Sequence, residues 1–212
     1  MNFSFDDMLG MKTKSLPKTW NGDVRNFWST HSDRLYQFYV LPKIVPFGAG
    51  KKVLEIGAEY YSRYIKPIYN SSCSLSLLDI KPYSHPDIKN VLNVDRFIHL
   101  DMTVAIADYA EEFDIIISFG VLSHYNFSEL QCELYLDNLL QMLKPCGMCA
   151  IKIDVQIMEK LEKFSNWEKL LLMIKERFSI QASDTLYDSM GLKQFIITYC
   201  SKEKTDVVDR NI

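Results

Sequence analysis

Four short apolar runs constrain the fold more than any other feature of the chain. They span residues 53–56, 75–80, 97–100 and 113–119, and each contains or precedes a glycine or an acidic residue. Short apolar runs with β-branched residues predict strands that are buried on both faces. Segments of helical pattern follow three of them, at residues 60–69, 103–112 and 128–143. This alternation predicts a parallel sheet with helices on both faces.

The same pattern continues toward the C-terminus and defines the domain. Further predicted elements are a strand at 148–155, a helix in two pieces at 156–177, and closing strands at 178–184 and 194–200. Near the N-terminus, apolar residues at helical spacing predict a helix within residues 20–40, and prolines and glycines up to residue 50 form a linker. We therefore expect one domain at 20–200, with a loose arm at 1–19 and a tail at 201–212.

Composition argues against several classes of protein. Of 212 residues, 24 are Lys or Arg and 27 are Asp or Glu, so the formal net charge is −3. The basic residues form no run, which argues against a nucleic-acid partner. The longest apolar stretches fall well short of the ~20 residues that a membrane-spanning helix needs. Asp6 and Asp7 stand where an export signal would be basic and then apolar, so we expect a cytoplasmic protein with five reduced cysteines.

Residues at the ends of the predicted strands are candidates for ligand binding. Ligands of parallel sheets bind at the carboxyl edge, where Gly57, Asp79 and Asp101 would stand. Asp79 follows Gly57 by 22 residues. This spacing suits a ribose site, because glycine lets backbone approach the ligand and a carboxylate accepts both ribose hydroxyls. Simpler interpretations stay open: a solvated turn residue for Asp79, and a helix N-cap for Asp101.

Five segments in order resemble the motifs of class I S-adenosylmethionine-dependent methyltransferases. They read VLEIGAEYYS, LLDIKP, HLDMT, FDIIISFGVLSHY and LKPCGMCAIK. A sixth segment, NFWSTHSDRLYQFY, resembles the N-terminal helix that many small-molecule members fold over the cofactor. The resemblance implies a Rossmann-like three-layer α/β sandwich, with a mostly parallel seven-stranded sheet whose last strand is antiparallel. It also implies S-adenosylmethionine as cofactor, and a small-molecule methyl acceptor held partly by the N-terminal helix.

The resemblance assigns cofactor contacts to residues in the first four segments. The expected contacts are Glu55, Ile56, Gly57, Ala58, Asp79, Ile80, Asp101, Met102, Ser118 and Phe119. Asp79 would bind the ribose, Asp101 would face the adenine amine, and Met102 would pack on the adenine ring. Glu55 lies within an apolar strand, where a carboxylate needs a partner such as the amino group of the cofactor.

One segment departs from the family pattern. The glycine-rich loop is expected to read Gly-x-Gly-x-Gly, but here it reads Gly57-Ala58-Glu59-Tyr60-Tyr61. Two glycines are therefore replaced by residues whose side chains could crowd the cofactor. The alternative to an active enzyme is a methyltransferase-like scaffold or partner-binding protein that has lost its cofactor. A nicotinamide-dependent dehydrogenase fits less well, because the full glycine fingerprint is absent.

His124 and Tyr125 are the candidate catalytic residues. A histidine beside the site can act as a general base for a hydroxyl acceptor, because its unperturbed pKa lies near 6.5. A packed, structural histidine is the simpler interpretation. Cys146 and Cys149 form a C-x-x-C pair, but the sequence has no second pair to complete a zinc site, so we expect no metal. The acceptor, the methylated atom and the oligomeric state are not indicated by the sequence.

Overall fold

A computed structural model describes residues 50–57, 73–80, 94–160, 167–187 and 193–202. Seven strands are present in this part of the chain: β1 Lys52–Ile56, β2 Ser74–Asp79, β3 Arg96–His99, β4 Phe113–Phe119, β5 Leu143–Asp154, β6 Ser179–Tyr187 and β7 Lys193–Ser201. Four helices accompany them: α1 Val121–His124, α2 Glu129–Met142, α3 Val155–Lys160 and α4 Trp167–Arg177. The predicted arm, N-terminal helix and helix at 60–69 lie outside the described residues.

All seven strands form one sheet in the order β3-β2-β1-β4-β5-β7-β6. The strands β1 to β5 pair in parallel, whereas β7 runs antiparallel to both β5 and β6. This confirms the predicted mostly parallel sheet with an antiparallel last strand. Strand order reverses direction between β1 and β4, which is the point where open α/β sheets bind ligands.

The central strands are buried because they carry apolar side chains on both faces. Four of the five residues of β1 and six of the seven residues of β4 are buried. Leu54, Ile56 and Ile116 belong to one core cluster with apolar residues of α2 and α4. A strand covered on both sides has no free polar face, which explains the continuous apolar runs in the sequence.

The helix α2 begins where the sequence predicts. Ser128 caps it, since its hydroxyl accepts from the backbone N–H of Gln131 at 3.3 Å and the Gln131 side chain accepts from the backbone N–H of Ser128 at 2.9 Å. This reciprocal capping box satisfies two N–H groups that the first helical turn leaves without partners. It fixes the direction in which the chain enters the helix.

The expected helix at 103–112 is wrong. The segment forms turns and bends, and Tyr109 and Glu111 have positive φ angles of 65° and 51°. The backbone at the start of the segment is held by α2 instead, since the Asn138 amide donates to Met102 O at 3.0 Å and to Val104 O at 2.7 Å. Carbonyls held in this way are not available for a helical ladder. Among the described helices, none has the length and hydropathy needed to cross a bilayer.

Candidate functional site

A cavity opens at the carboxyl edge of β1, β2 and β3, next to α1 and the first turns of α2. Its volume is about 180 Å³, more than ten times the ~10–15 Å³ that one buried water occupies, so it suits an organic ligand. Seven residues proposed from the sequence line it: Ile56, Gly57, Asp79, Ile80, Asp101, Met102 and Tyr125. Seven more complete the described lining: Leu78, Leu100, Thr103, Val121, Phe127, Gln131 and Tyr135.

Gly57 brings bare backbone to the cavity wall. Its φ is +67°, and its N–H donates to Leu78 O of the neighbouring strand at 2.9 Å. A Cβ built on Gly57 would collide with Cγ2 of Val121. Glycine is required here by both the left-handed backbone and the close approach of α1.

Two carboxylates face the cavity from adjacent strands. Asp79 ends β2, in register with His99 of β3. Asp101 follows two residues later on the β3 side, and its Oδ1 accepts from the backbone N–H of Thr103 at 2.8 Å and from its hydroxyl at 2.7 Å. This turn, rather than the cap of a helix, orients Asp101. Ile80 stands beside Asp79 with 51% of its surface exposed.

Aromatic rings form the wall opposite the strand ends. The Tyr125 and Phe127 rings are stacked, with centroids 5.6 Å apart and planes 14° from parallel. Tyr135 is fully buried, and its hydroxyl shares a 2.8 Å hydrogen bond with the Ser118 hydroxyl. Burial raises the pKa of Tyr135 despite this hydrogen bond, so the group is a neutral phenol at physiological pH. The cavity therefore combines apolar ring faces with two carboxylates.

A polar cluster apart from the cavity lining is formed by side chains of α1, which follows β4, and of the end of β5. His124 Nε2 is 2.8 Å from Oδ2 of the buried Asp154, and Lys152 Nζ is 3.0 Å from Asp154 Oδ1. Ser123 Oγ donates to the same Oδ2 at 3.2 Å. Gly120 packs against this group, since a Cβ there would lie 3.3 Å from His124 Nε2. A histidine held by a buried carboxylate can exchange a proton at its other nitrogen.

Solved structures of other proteins share this architecture. No family model matches the sequence, and no curated protein matches it. Among solved structures, N-methyltransferase NodS from Bradyrhizobium japonicum WM9, in complex with S-adenosyl-L-homocysteine, matches with a TM-score of 0.66 and 16% identity, over 82% of this chain and 88% of that chain. The 1,6-didemethyltoxoflavin-N1-methyltransferase from Burkholderia thailandensis, with bound 1,6-didemethyltoxoflavin and S-adenosylhomocysteine, also matches. Its TM-score is 0.62 and its identity 15%, over 85% of this chain and 82% of that chain.

The chain has the class I methyltransferase fold. The same fold is found in the [4+2]-cyclase SpnF, which matches with a TM-score of 0.63 and 13% identity over 86% of this chain and 85% of that chain. A fold shared between methyltransferases and a cyclase does not determine the reaction, so function must be argued from the site.

Three predicted contacts lie away from the cavity of this methyltransferase fold. Glu55 is fully buried in β1, in register with Leu77 and Ile117, and does not line the cavity. Ser118 reaches it only through the Tyr135 hydroxyl. Phe119 packs near Lys152, whose Nζ lies 5.9 Å from the ring centroid. Ala58 and the rest of the altered glycine loop lie outside the described residues.

Sequence reasoning missed contributors from α2 and β5. Gln131 and Tyr135 are four residues apart within the predicted helix at 128–143, a spacing that puts both on one helix face, and this spacing is the signal that could have identified them. Lys152 and Asp154 alternate within an otherwise apolar strand. Two charges in a buried run signal an ion pair, but the partners of Asp154 on α1, Ser123 and His124, lie about 30 residues away in the sequence and are brought close by the fold. Among the described residues, no group of three or more His, Cys, Asp or Glu could hold a metal ion.

Proposed function

We propose that the chain binds S-adenosylmethionine in the cavity and transfers its methyl group to a small-molecule acceptor. One observation carries this proposal: Gly57, Asp79, Asp101 and Met102 converge on one cavity at the carboxyl edge of the sheet. The solved structures of the same fold that hold S-adenosylhomocysteine support the choice of cofactor. The acceptor and the methylated atom are left open, as either oxygen or nitrogen.

The residues around the cavity fit an adenosine. Asp79 supplies a carboxylate for two ribose hydroxyls, and Gly57 lets the backbone approach the sugar closely. Met102 is only 4% exposed and offers an apolar side chain to one face of an adenine ring. Asp101 stands next to it, where an acceptor for the adenine amine is required. Tyr125 and Phe127 add aromatic faces, which attract a positive sulfonium.

Bound S-adenosylmethionine supplies an activated methyl group with a good leaving group. The chain has to hold the cofactor, align an acceptor with the methyl carbon and exclude water. Apolar side chains of Ile56, Leu78 and Val121 help to exclude water from this side of the sheet. We expect the remaining acceptor contacts from the predicted N-terminal helix and from the segment that begins at Asp154.

Calorimetric titration with S-adenosylmethionine tests the proposal, with Asp79→Asn as the informative variant. Loss of charge-assisted hydrogen bonds costs about 1.5–3 kcal/mol, so affinity should fall about 10- to 100-fold. Asp108→Asn is the matched control, because Asp108 is an exposed aspartate that does not line the cavity. It should keep the wild-type affinity.

The same titration decides between an enzyme and a scaffold. A wild-type protein that gives no heat at millimolar S-adenosylmethionine would refute the proposal and favour the partner-binding alternative. Equal affinities of wild type and Asp79→Asn would refute the assignment of the ribose site. Transfer of a radiolabelled methyl group to fractions of a metabolite extract would then identify the acceptor.

A further inference from the structure

Asp154 is the centre of the polar cluster described above, whose residues do not line the cavity. It ends β5, and only 3% of its surface is exposed. Its Oδ1 faces Lys152 Nζ, whereas its Oδ2 faces both the Ser123 hydroxyl and His124 Nε2. Its backbone N–H donates to Ser123 Oγ at 3.1 Å. The carboxylate is therefore held in one orientation by three side chains.

Lys152 keeps this carboxylate charged. The lysine is 7% exposed, and its Nζ lies 4.7 Å from the ring centroid of Phe195. A buried ammonium needs an anionic partner, and Asp154 is that partner at 3.0 Å. Burial on its own would raise the pKa of Asp154, but the charge of Lys152 and the hydrogen bond from His124 outweigh it and lower that pKa below its ordinary value. At neutral pH the carboxyl is ionised.

An ionised carboxylate fixes the tautomer of His124. A carboxylate oxygen only accepts hydrogen bonds, so the Nε2 that lies 2.8 Å away must carry the proton. In a neutral imidazole the other nitrogen, Nδ1, then holds a lone pair. Within the described part of the chain Nδ1 has no hydrogen-bond partner, and the side chain is 46% exposed. It is therefore available to accept a proton from a ligand.

His124 is the last residue of α1 and directly precedes Tyr125, which lines the cavity. Val121 and the residue after the helix, Tyr125, line the cavity, while Ser123 and His124 turn toward Asp154. One short helix thus contacts the cavity on one side and the buried carboxylate on the other. Gly120 packs closely against this pair, since a Cβ there would lie 3.3 Å from His124 Nε2 and 3.5 Å from Asp154 Oδ2, so the His124 ring would have to shift slightly to accommodate it.

We propose that Asp154, supported by Lys152, is a positioning residue that holds His124 as the proton acceptor in methyl transfer. This inference rests on the function proposed above. It implies an acceptor group that loses a proton when it is methylated, such as a hydroxyl or an amine, rather than a carboxylate. In the step, an acceptor lone pair forms a bond to the methyl carbon, the carbon–sulfur bond breaks with its electron pair going to sulfur, and the acceptor proton moves to Nδ1.

The tautomer of His124 is measured directly by ¹H–¹⁵N correlation spectra of the imidazole groups. Spectra of the full-length wild-type protein are recorded about two pH units above the ~6.5 at which a free histidine titrates. A His124→Gln variant assigns the signal. His99 is an internal reference, because its Nε2 lies 2.7 Å from the Ile80 carbonyl oxygen, which can only accept. We expect His124 to show the same Nε2–H form as His99.

The variant Asp154→Asn should invert the tautomer. The amide oxygen must turn toward the Lys152 ammonium, because that group only donates. The amide NH₂ then faces His124 Nε2, which has to accept, so the proton moves to Nδ1. Asp108→Asn is the matched control and should leave the His124 signal unchanged.

Several outcomes would overturn the inference, and they separate it from the cofactor assignment. An Nδ1–H tautomer or a persistent imidazolium in the wild type would overturn it without any variant, even if Asp154→Asn fails to fold. An unchanged tautomer in folded Asp154→Asn would remove Asp154 as the positioning residue. Loss of S-adenosylmethionine binding in His124→Gln would make His124 a cofactor ligand instead. A wild-type protein that shows Nε2–H but binds no cofactor would overturn the proposed function and this role together.

Discussion

Gly50 and Gly57 share a left-handed backbone but differ in what surrounds them. Their φ angles are +69° and +67°. Nothing lies within 4 Å of a Cβ built on Gly50, whereas a Cβ on Gly57 would collide with Val121. The pair therefore separates two costs at the level of single residues: backbone strain, which both positions carry, and steric contact with the cavity wall, which only Gly57 carries.

Substitution of Gly57 by alanine should cost more stability than substitution of Gly50. Left-handed backbone costs a non-glycine residue about 1–2 kcal/mol, so Gly50→Ala should lower the free energy of unfolding by that amount. Gly57→Ala should lose about 1 kcal/mol more, because the stiff Val121 side chain has to shift. Urea denaturation measures both. Equal losses would mean that Val121 moves aside freely, and the collision would then not explain the glycine.

At the level of elements, α2 holds the loop that carries Asp101 and Met102. Asn138 is 4% exposed and donates to two carbonyl oxygens of this loop. The same helix contributes Gln131 and Tyr135 to the cavity wall. One helix therefore both lines the cavity and holds the backbone of the loop that contributes Asp101 and Met102 to it.

Asn138→Ala should loosen this loop. Removing the amide leaves two carbonyl groups without their donor, and we expect a loss of about 1–3 kcal/mol in the free energy of unfolding. Amide hydrogen exchange should accelerate in residues 101–112 before other segments respond. Glu133→Ala, on the same helix but outside the cavity, is the control. Similar exchange in the two variants would show that the loop is held by something other than Asn138.

Elements that pack on both faces could be predicted from the sequence, whereas elements set by long-range contacts could not. The bounds of β4 are those expected, because a run of buried Ile and Phe has no other stable placement. The prediction of a helix at 103–112 is wrong, because the residues of that segment do not indicate that Asn138, far along the sequence, binds the backbone there. Asp79 and Asp101 line the cavity, as their positions at strand ends lead one to expect, and their roles as ligand contacts stay predictions. The Lys152–Asp154–His124 group was missed as a unit because two separate segments form it.

Two aspartates with lowered pKa values lie near opposite edges of the sheet. Asp154 is near the carboxyl edge. Asp114 is the second residue of β4, near the amino edge, and its carboxylate accepts from the Lys52 backbone N–H at 2.9 Å and lies 2.9 Å from Lys144 Nζ. Burial would raise the pKa of Asp114, but the hydrogen bond from Lys52 and the charge of Lys144 lower it below 3.8. The whole molecule is therefore stabilised by keeping both groups ionised.

Acid should unfold the protein through these carboxyls. When the folded pKa is lower than the unfolded one, the unfolded chain binds more protons as the pH falls. The stabilisation is complete above the ordinary value of 3.8 and is lost as the pH falls through the folded pKa values. Denaturation at several pH values between 5 and 3 should give a shallower slope for Asp114→Asn than for wild type. Asp108→Asn should keep the wild-type slope, and identical slopes in all three proteins would contradict the assignment.

The placement of β7 has a consequence for synthesis on the ribosome. This strand is the last of the seven in the chain, yet it lies between β5 and β6 and pairs with both. Until Lys193–Ser201 has emerged, the growing polypeptide presents β5 as a bare edge and β6 without a neighbour. Bare edges invite pairing with other chains. A nascent chain that lacks β7 is therefore prone to aggregation. The sheet is complete only when β7 has paired with both β5 and β6.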